Sequence, residues 1–166
     1  MIQQSEHIVT SFDDELQELT SLIVRMGGLV ESQISDALVA FSRRDNETAL
    51  ACIEADVKVD QLEHQVDELT VKVLALRQPV ADDLRIVVAS LKIASDLERM
   101  GDNAKSITKR TRLLTRFPDS GAVLGIVRMG ELTQQFLAQV LDAYIHNELQ
   151  PAMTIWRRDA EIDSCL

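Results

Sequence analysis

Cysteine, proline, glycine and aromatic residues are all scarce in this chain. Its 166 residues include two Cys, three Pro, six Gly, one Trp, one Tyr and four Phe. Two cysteines, Cys52 and Cys165, form no disulfide framework, which points to a reducing compartment. No stretch approaches the eighteen apolar residues a membrane span needs, so no membrane insertion is expected. The start, MIQQSEH, has neither a basic opening nor an apolar core, and predicts no signal peptide. Cations are also in short supply. Seventeen Lys and Arg face 27 Asp and Glu, a net charge of −10, which argues against a nucleic-acid partner. The one basic run, from Lys105 to Arg116, closes a helix, where cations offset the helix dipole.

What remains is rich in Leu, Val, Ala, Glu, Arg and Gln, and 46% of the chain is hydrophobic. Such a composition favours helices with a core between them, and no strand pattern is present. Five helices can be read. The first spans about 11–43, with Ser11 as its N-cap and Phe12, Leu16, Leu19, Ile23, Met26, Val30, Ile34, Ala37 and Phe41 inward. Asp45-Asn46 makes a turn. The second spans about 47–77, with a seam of Val59, Leu62, Val66, Leu69, Val73 and Leu76, and ends before Pro79. The third spans about 81–115. After the loop-like stretch 117–121, a fourth spans about 123–146, with Ile126, Met129, Thr133, Phe136, Val140 and Ala143 inward. The fifth starts near Pro151, a residue suited to a first helical turn. Short turns make neighbouring helices antiparallel. The Met26-Gly27-Gly28 stretch, costly in mid-helix, implies close approach of another helix.

An internal repeat is visible. Asp36-Ala37 reappears as Asp142-Ala143, and Ala49, Asp56 and Asp60 reappear as Ala152, Asp159 and Asp163. The expected architecture is therefore all-α: an antiparallel three-helix bundle over 1–117, then an incomplete second copy, about two helices, over 118–166. That pattern predicts a chain truncated at its C-terminus, with Ile155, Trp156 and Ile162 left partly bare.

The most informative residues are carboxylates on helical faces. Glu98 and Asp102, four apart, share one face of the third helix. Leu84, Val87, Val88 and Leu91 project onto the same face, so an apolar stripe runs into two acids. Burying an unpaired carboxylate costs several kcal/mol, so a positive partner is required. Lys105 and Lys109 could supply it, and so could a metal ion. The second helix carries Asp56, Asp60, Glu63 and Asp67 within one narrow sector. Neighbouring like charges there repel by roughly a few tenths of a kcal/mol per pair. Asp60 lies 19 residues before Pro79 and Glu98 lies 19 after it, so antiparallel packing brings Asp56, Asp60, Glu98 and Asp102 together. Oxygen-rich sites of this kind suit hard or borderline cations. Two plainer readings compete: a salt-bridge network with Arg99, Lys105 and Lys109, and, for Glu63 and Asp67, an ordinary solvated face. His64, one turn after Asp60, reads as a solvated flank residue before it reads as a ligand. No nucleophile elbow, glycine-rich phosphate loop or Glu-x-x-His is present, so the sequence is not read as an enzyme.

Four segments resemble one family. They are MGGLVESQISDA at 26–37, EADVKVD at 54–60, RQPVADDLR at 77–85 and DLERMGD at 96–102. Together they closely resemble the PhoU family, bacterial regulators of phosphate uptake and phosphate signalling, and the resemblance runs over the whole chain. It implies two similar three-helix bundles and E/D-x-x-x-D motifs that hold iron or zinc. Carried over, those motifs fall on Asp56 and Asp60, on Glu98 and Asp102, and on Asp159 and Asp163. The last pair would form a second metal site, left incomplete because a fourth motif is missing. The resemblance further implies a homodimeric adaptor, cytoplasmic and peripheral to the inner membrane through its partners. Those partners are the phosphate ABC transporter ATPase and a sensor histidine kinase, and the adaptor negatively regulates uptake and the phosphate-starvation response. A carboxylate-bridged metalloenzyme or metal store is the alternative, and a purely structural bundle a third.

Overall fold

The computed structural model describes the backbone of residues 2–114 and 122–165, and the side chains of residues 12–111, 113 and 123–165. Among the described residues there are six helices and no strand. They are α1 (Ile2–Arg43), α2 (Asn46–Arg77), α3 (Ala81–Leu114), α4 (Ala122–Ile145), α5 (Leu149–Trp156) and α6 (Asp159–Asp163). The expected loop at 117–121 and the division between 117 and 118 lie outside the described residues.

α1 to α3 pack mutually as a three-helix bundle. The turns follow local chemistry. Arg44, in left-handed conformation, follows α1, and Asp45 caps α2 by accepting from the Glu47 and Thr48 amides at 2.9 and 3.4 Å. Gln78, also left-handed, closes α2 just before Pro79. Leu19, Ile23, Met26 and Val30 of α1 meet Val59, Leu62, Val66 and Val73 of α2 in the core, as their spacing predicts.

Several expectations need correction. α1 continues through Ser11 to Ile2, so Ser11 is not its N-cap. Leu76 is 66% exposed, because α2 has already passed the end of the core there. Leu84 and Val88 are exposed as well. Of the expected stripe Val87 is buried and Leu91 half-buried, and α3 continues its buried line through Ser90, Ala94, Leu97, Gly101, Ala104 and Thr108, most of them small. Small residues permit close helix approach, and a search for large apolar residues overlooks them. Finally, the fifth helix is broken at Arg157 and Arg158 into α5 and α6.

α4 lies on α1, and α5 and α6 lie on α4. The α1–α4 contact explains the mid-helix glycine. A Cβ on Gly27 would sit 2.5 Å from Leu141 Cδ1, and one on Gly130 would overlap Leu38. Each helix thus offers a glycine notch to a leucine of the other, while Gly28 faces open space. Gln134 of α4 donates to the Glu31 carbonyl between these notches at 3.5 Å. Of the α4 residues expected inward, Phe136 and Ala143 are buried, but Val140 is exposed. Ile155 is buried against α4, whereas Trp156 is 72% exposed.

Candidate metal centre

The acids of α2 and α3 come level along an antiparallel seam. Lys105 binds Asp56, Asp60 feels the charge of Asp102, and Glu98 feels that of Glu63. This register is one helical turn away from mirror symmetry about Pro79. The link occupies residues 78–80 and α3 begins at Ala81, so the pivot lies beyond the proline. The shift changes which acids meet. Glu63, expected to face solvent, stands opposite Glu98, while Asp56 is turned inward to Lys105.

Asp56 is the most enclosed of these acids, 3% exposed. Gln33 of α1 donates to its Oδ1 at 3.3 Å and the Lys105 ammonium donates to its Oδ2. Lys105 also reaches Asp102 Oδ1 at 3.0 Å. One ammonium therefore joins α2 to α3. Both carboxylates hold the Lys105 pKa above its ordinary value, Asp56 most strongly, and Lys105 in turn lowers that of Asp102. Of the other cations expected there, Arg99 turns away to Asp96 at 3.8 Å, and Lys109 acts on Asp102 only through its charge.

Along the same seam, charges of one sign crowd together. Desolvation and then the charges of Asp102, Glu63 and Asp60 raise the pKa of Glu98. Desolvation, followed by Asp67 and Asp60, raises that of Glu63. Asp60 is raised by desolvation and by Asp56, with Lys105 opposing. Three carboxyls held less acidic than usual in one groove are a place where added positive charge is favourable.

Gly101 lets α3 approach this seam. A Cβ there would lie 2.8 Å from Gln33 Oε1 and 3.6 Å from Asp56 Oδ1. Gln33 Oε1 is buried with no hydrogen-bond partner among the described residues. Neither Gln33 nor Gly101 stands out in the sequence, because the polar character of one and the smallness of the other matter only in the assembled bundle.

The donor chemistry suits a hard cation, since the oxygens these side chains could offer are all carboxylate. Structural zinc sites draw chiefly on nitrogen and sulfur. The nearest histidine, His64, turns outward to Glu68 at 3.3 Å, and Cys52 is a buried thiol raised to about 11 by desolvation. Yet among the described residues no three His, Cys, Asp or Glu side chains are disposed to hold one metal ion. Asp56 and Asp102 are drawn to Lys105 instead. Asp159 and Asp163 lie exposed on α6, which packs against α4. No helix among the described residues is long and apolar enough to cross a membrane.

The fold and this seam define a class: an all-helical bundle whose second and third helices share an acidic groove. The model of the PhoU domain matches residues 23–111, a span that contains every acid of the groove. The phosphate-specific transport system accessory protein PhoU homolog of Caulobacter vibrioides is 46% identical over 160 residues, 96% of this chain and 70% of that protein. The Escherichia coli protein of the same name, PhoU, is 35% identical over 159 residues, 96% of this chain and 66% of that one. The crystal structure of PhoU from Pseudomonas aeruginosa superposes with a TM-score of 0.88 at 33% identity, covering 93% of this chain and 74% of that one. The chain belongs to the PhoU family.

Proposed function

We propose that this protein is a regulatory accessory component of phosphate transport. In this reading it restrains phosphate uptake and the phosphate-starvation response by linking the phosphate ABC transporter ATPase to a sensor histidine kinase. It acts at the cytoplasmic face of the membrane and as a homodimer. The observation that carries the reading is likeness along almost the whole chain to proteins named as accessories of phosphate-specific transport. Affinity capture with the tagged full chain should recover the ATPase and the kinase. Recovery of neither would sink the adaptor role.

Within that role, the α2–α3 groove is a metal centre held by Asp60, Glu63, Glu98 and Asp102, with Asp56 at its inner end. A bound cation would neutralise the crowded carboxyls and tie the two helices together. Asp159 and Asp163 would be half of a second, incomplete site. Elemental analysis of protein purified without chelator should find iron or zinc, and the amide variants of Asp56, Asp60, Glu98 and Asp102 should lose it. Unchanged metal content in those variants would remove the site. The all-oxygen donor set also supports the second reading, a carboxylate-bridged metalloenzyme or metal store. Oxygen-dependent turnover by the iron-loaded protein would favour that reading over the adaptor.

A further inference from the structure

We infer that Lys105 is an internal counter-ion that occupies the inner end of the α2–α3 groove, and that a metal ion must displace it to bind. The inference rests on the metal-centre reading above and adds a built-in competitor to it. The Lys105 ammonium engages Asp56 and Asp102 together. Both oxygens of Asp56 are then committed, one to Lys105 and one to Gln33. One oxygen of Asp102 is committed as well. The two acids best placed to close a site around Asp60, Glu63 and Glu98 are therefore held by a cation the chain itself supplies. That accounts for four acids pressing on one another without three of them gathering about one point.

The lysine is also built to leave. It sits one turn after Asp102 on α3, and its side chain is 24% exposed, against 4% for Asp56. A flexible four-carbon stem can swing the ammonium into water without moving the helix. A divalent ion arriving at the groove replaces one positive charge by two and meets the three carboxyls that Lys105 does not touch. Release of Lys105 then reports metal occupancy at the surface of α3.

The test uses metal-stripped full-length protein and Mn2+ as the probe. In the wild type, Mn2+ should increase acetylation of Lys105 by an amine-reactive reagent, measured by mass spectrometry, relative to Lys58 and Lys92. Lys105→Met should bind Mn2+ about tenfold more tightly by calorimetry, because the ion no longer has to break the ammonium's contacts with Asp56 and Asp102. Should Lys105→Met fail to fold, Lys105→Gln, which offers Asp56 an amide donor without the charge, should again bind more tightly. Binding by the wild type with unchanged Lys105 labelling, or with no gain in affinity in the folded variants, overturns the inference and leaves the metal centre standing. Absence of Mn2+ binding in every variant overturns both.

Discussion

The acid pairs Asp56/Asp60 on α2 and Asp159/Asp163 on α6 carry the same spacing and belong to the same internal repeat, yet their surroundings are opposite. Asp56 is enclosed by three helices and bound by Gln33 and Lys105, and Asp60 feels Asp102 across the seam. Asp159 and Asp163 are exposed on a helix of five residues. A carboxylate motif acquires perturbed chemistry from the helix packed against it. For α2 that helix is α3, brought close by Gly101, whereas α6 rests on α4 with both its acids in solvent.

Removing the cation from one region and the acids from the other separates the two environments. Lys105→Met leaves the buried Asp56 carboxylate with Gln33 alone. Stripping one partner from a buried pair typically costs 3–5 kcal/mol, and partial exposure of Lys105 lowers the expected loss to about 3 kcal/mol. Asp159→Asn and Asp163→Asn should each change stability by no more than about 0.5 kcal/mol. Urea denaturation of the three variants, without metal, tests both halves. Equal losses would mean that α3 gives the α2 acids no special environment.

Next in size is Glu15→Gln, which extends the comparison to a carboxylate at the far end of the α1–α2 seam. Glu15 is buried and receives Arg77 Nε at 2.8 Å and Lys72 Nζ at 3.3 Å. The hydrogen bond from Arg77 is the largest cause of its lowered pKa, opposed by desolvation. The amide should cost about 1.5–2 kcal/mol at neutral pH, the range for a hydrogen bond to a charged group. A depressed folded-state pKa stabilises above the ordinary glutamate value and loses that contribution as pH falls through the folded-state value. Wild type and variant should therefore converge in acid, as denaturation curves at a series of pH values will show. A gap of the same size at every pH would place the effect in packing rather than charge.

The glycine notches permit a similar comparison between the first three helices and the layer added to them. Gly27→Ala and Gly130→Ala each press a methyl group into a leucine across the α1–α4 contact. Overpacking of this kind costs about 1–3 kcal/mol, and roughly 1 kcal/mol is returned by better helix propensity. Hydrogen exchange should quicken in α4 and leave the protected centre of α2 unchanged. Gly28→Ala, which meets nothing, is the control.

Much of this organisation is legible in the chain itself. The large apolar residues of α1 and α2 repeat at spacings of three and four, so most of their buried faces follow directly, and Asp45-Asn46 and Pro79 mark their turns. The inward face of α3 is not legible that way, because Ser90, Ala94, Gly101, Ala104 and Thr108 are small or polar. Their signal is permitted proximity rather than hydrophobicity. The acids of the groove are individually visible as stripes. Their pairing depends on where the α2–α3 turn pivots, and a displacement of one turn moves Glu63 in and gives Asp56 to Lys105. The partner of Gly27, Leu141, lies more than a hundred residues away in sequence.

The smallest expected effect is also the one with the opposite sign. Glu98 has its pKa raised by desolvation and by the charges of Asp102, Glu63 and Asp60, so the folded state favours its protonated form. A carboxyl with a raised folded-state pKa holds more protons folded than unfolded, and stability falls as pH rises through the interval between the two values. Glu98→Gln removes that penalty. In metal-free protein it should match the wild type in acid, below the ordinary glutamate pKa. It should gain as pH rises through the interval and hold its advantage at neutral pH, by roughly a few tenths of a kcal/mol for each like-charge pair relieved. With saturating Mn2+ the order reverses, because the lost carboxylate is then worth more as a ligand than its absence is as relief. Paired melting curves with chelator and with Mn2+ read both signs. A Gln variant that is more stable under both conditions would identify the groove as crowded acids with no cation to hold.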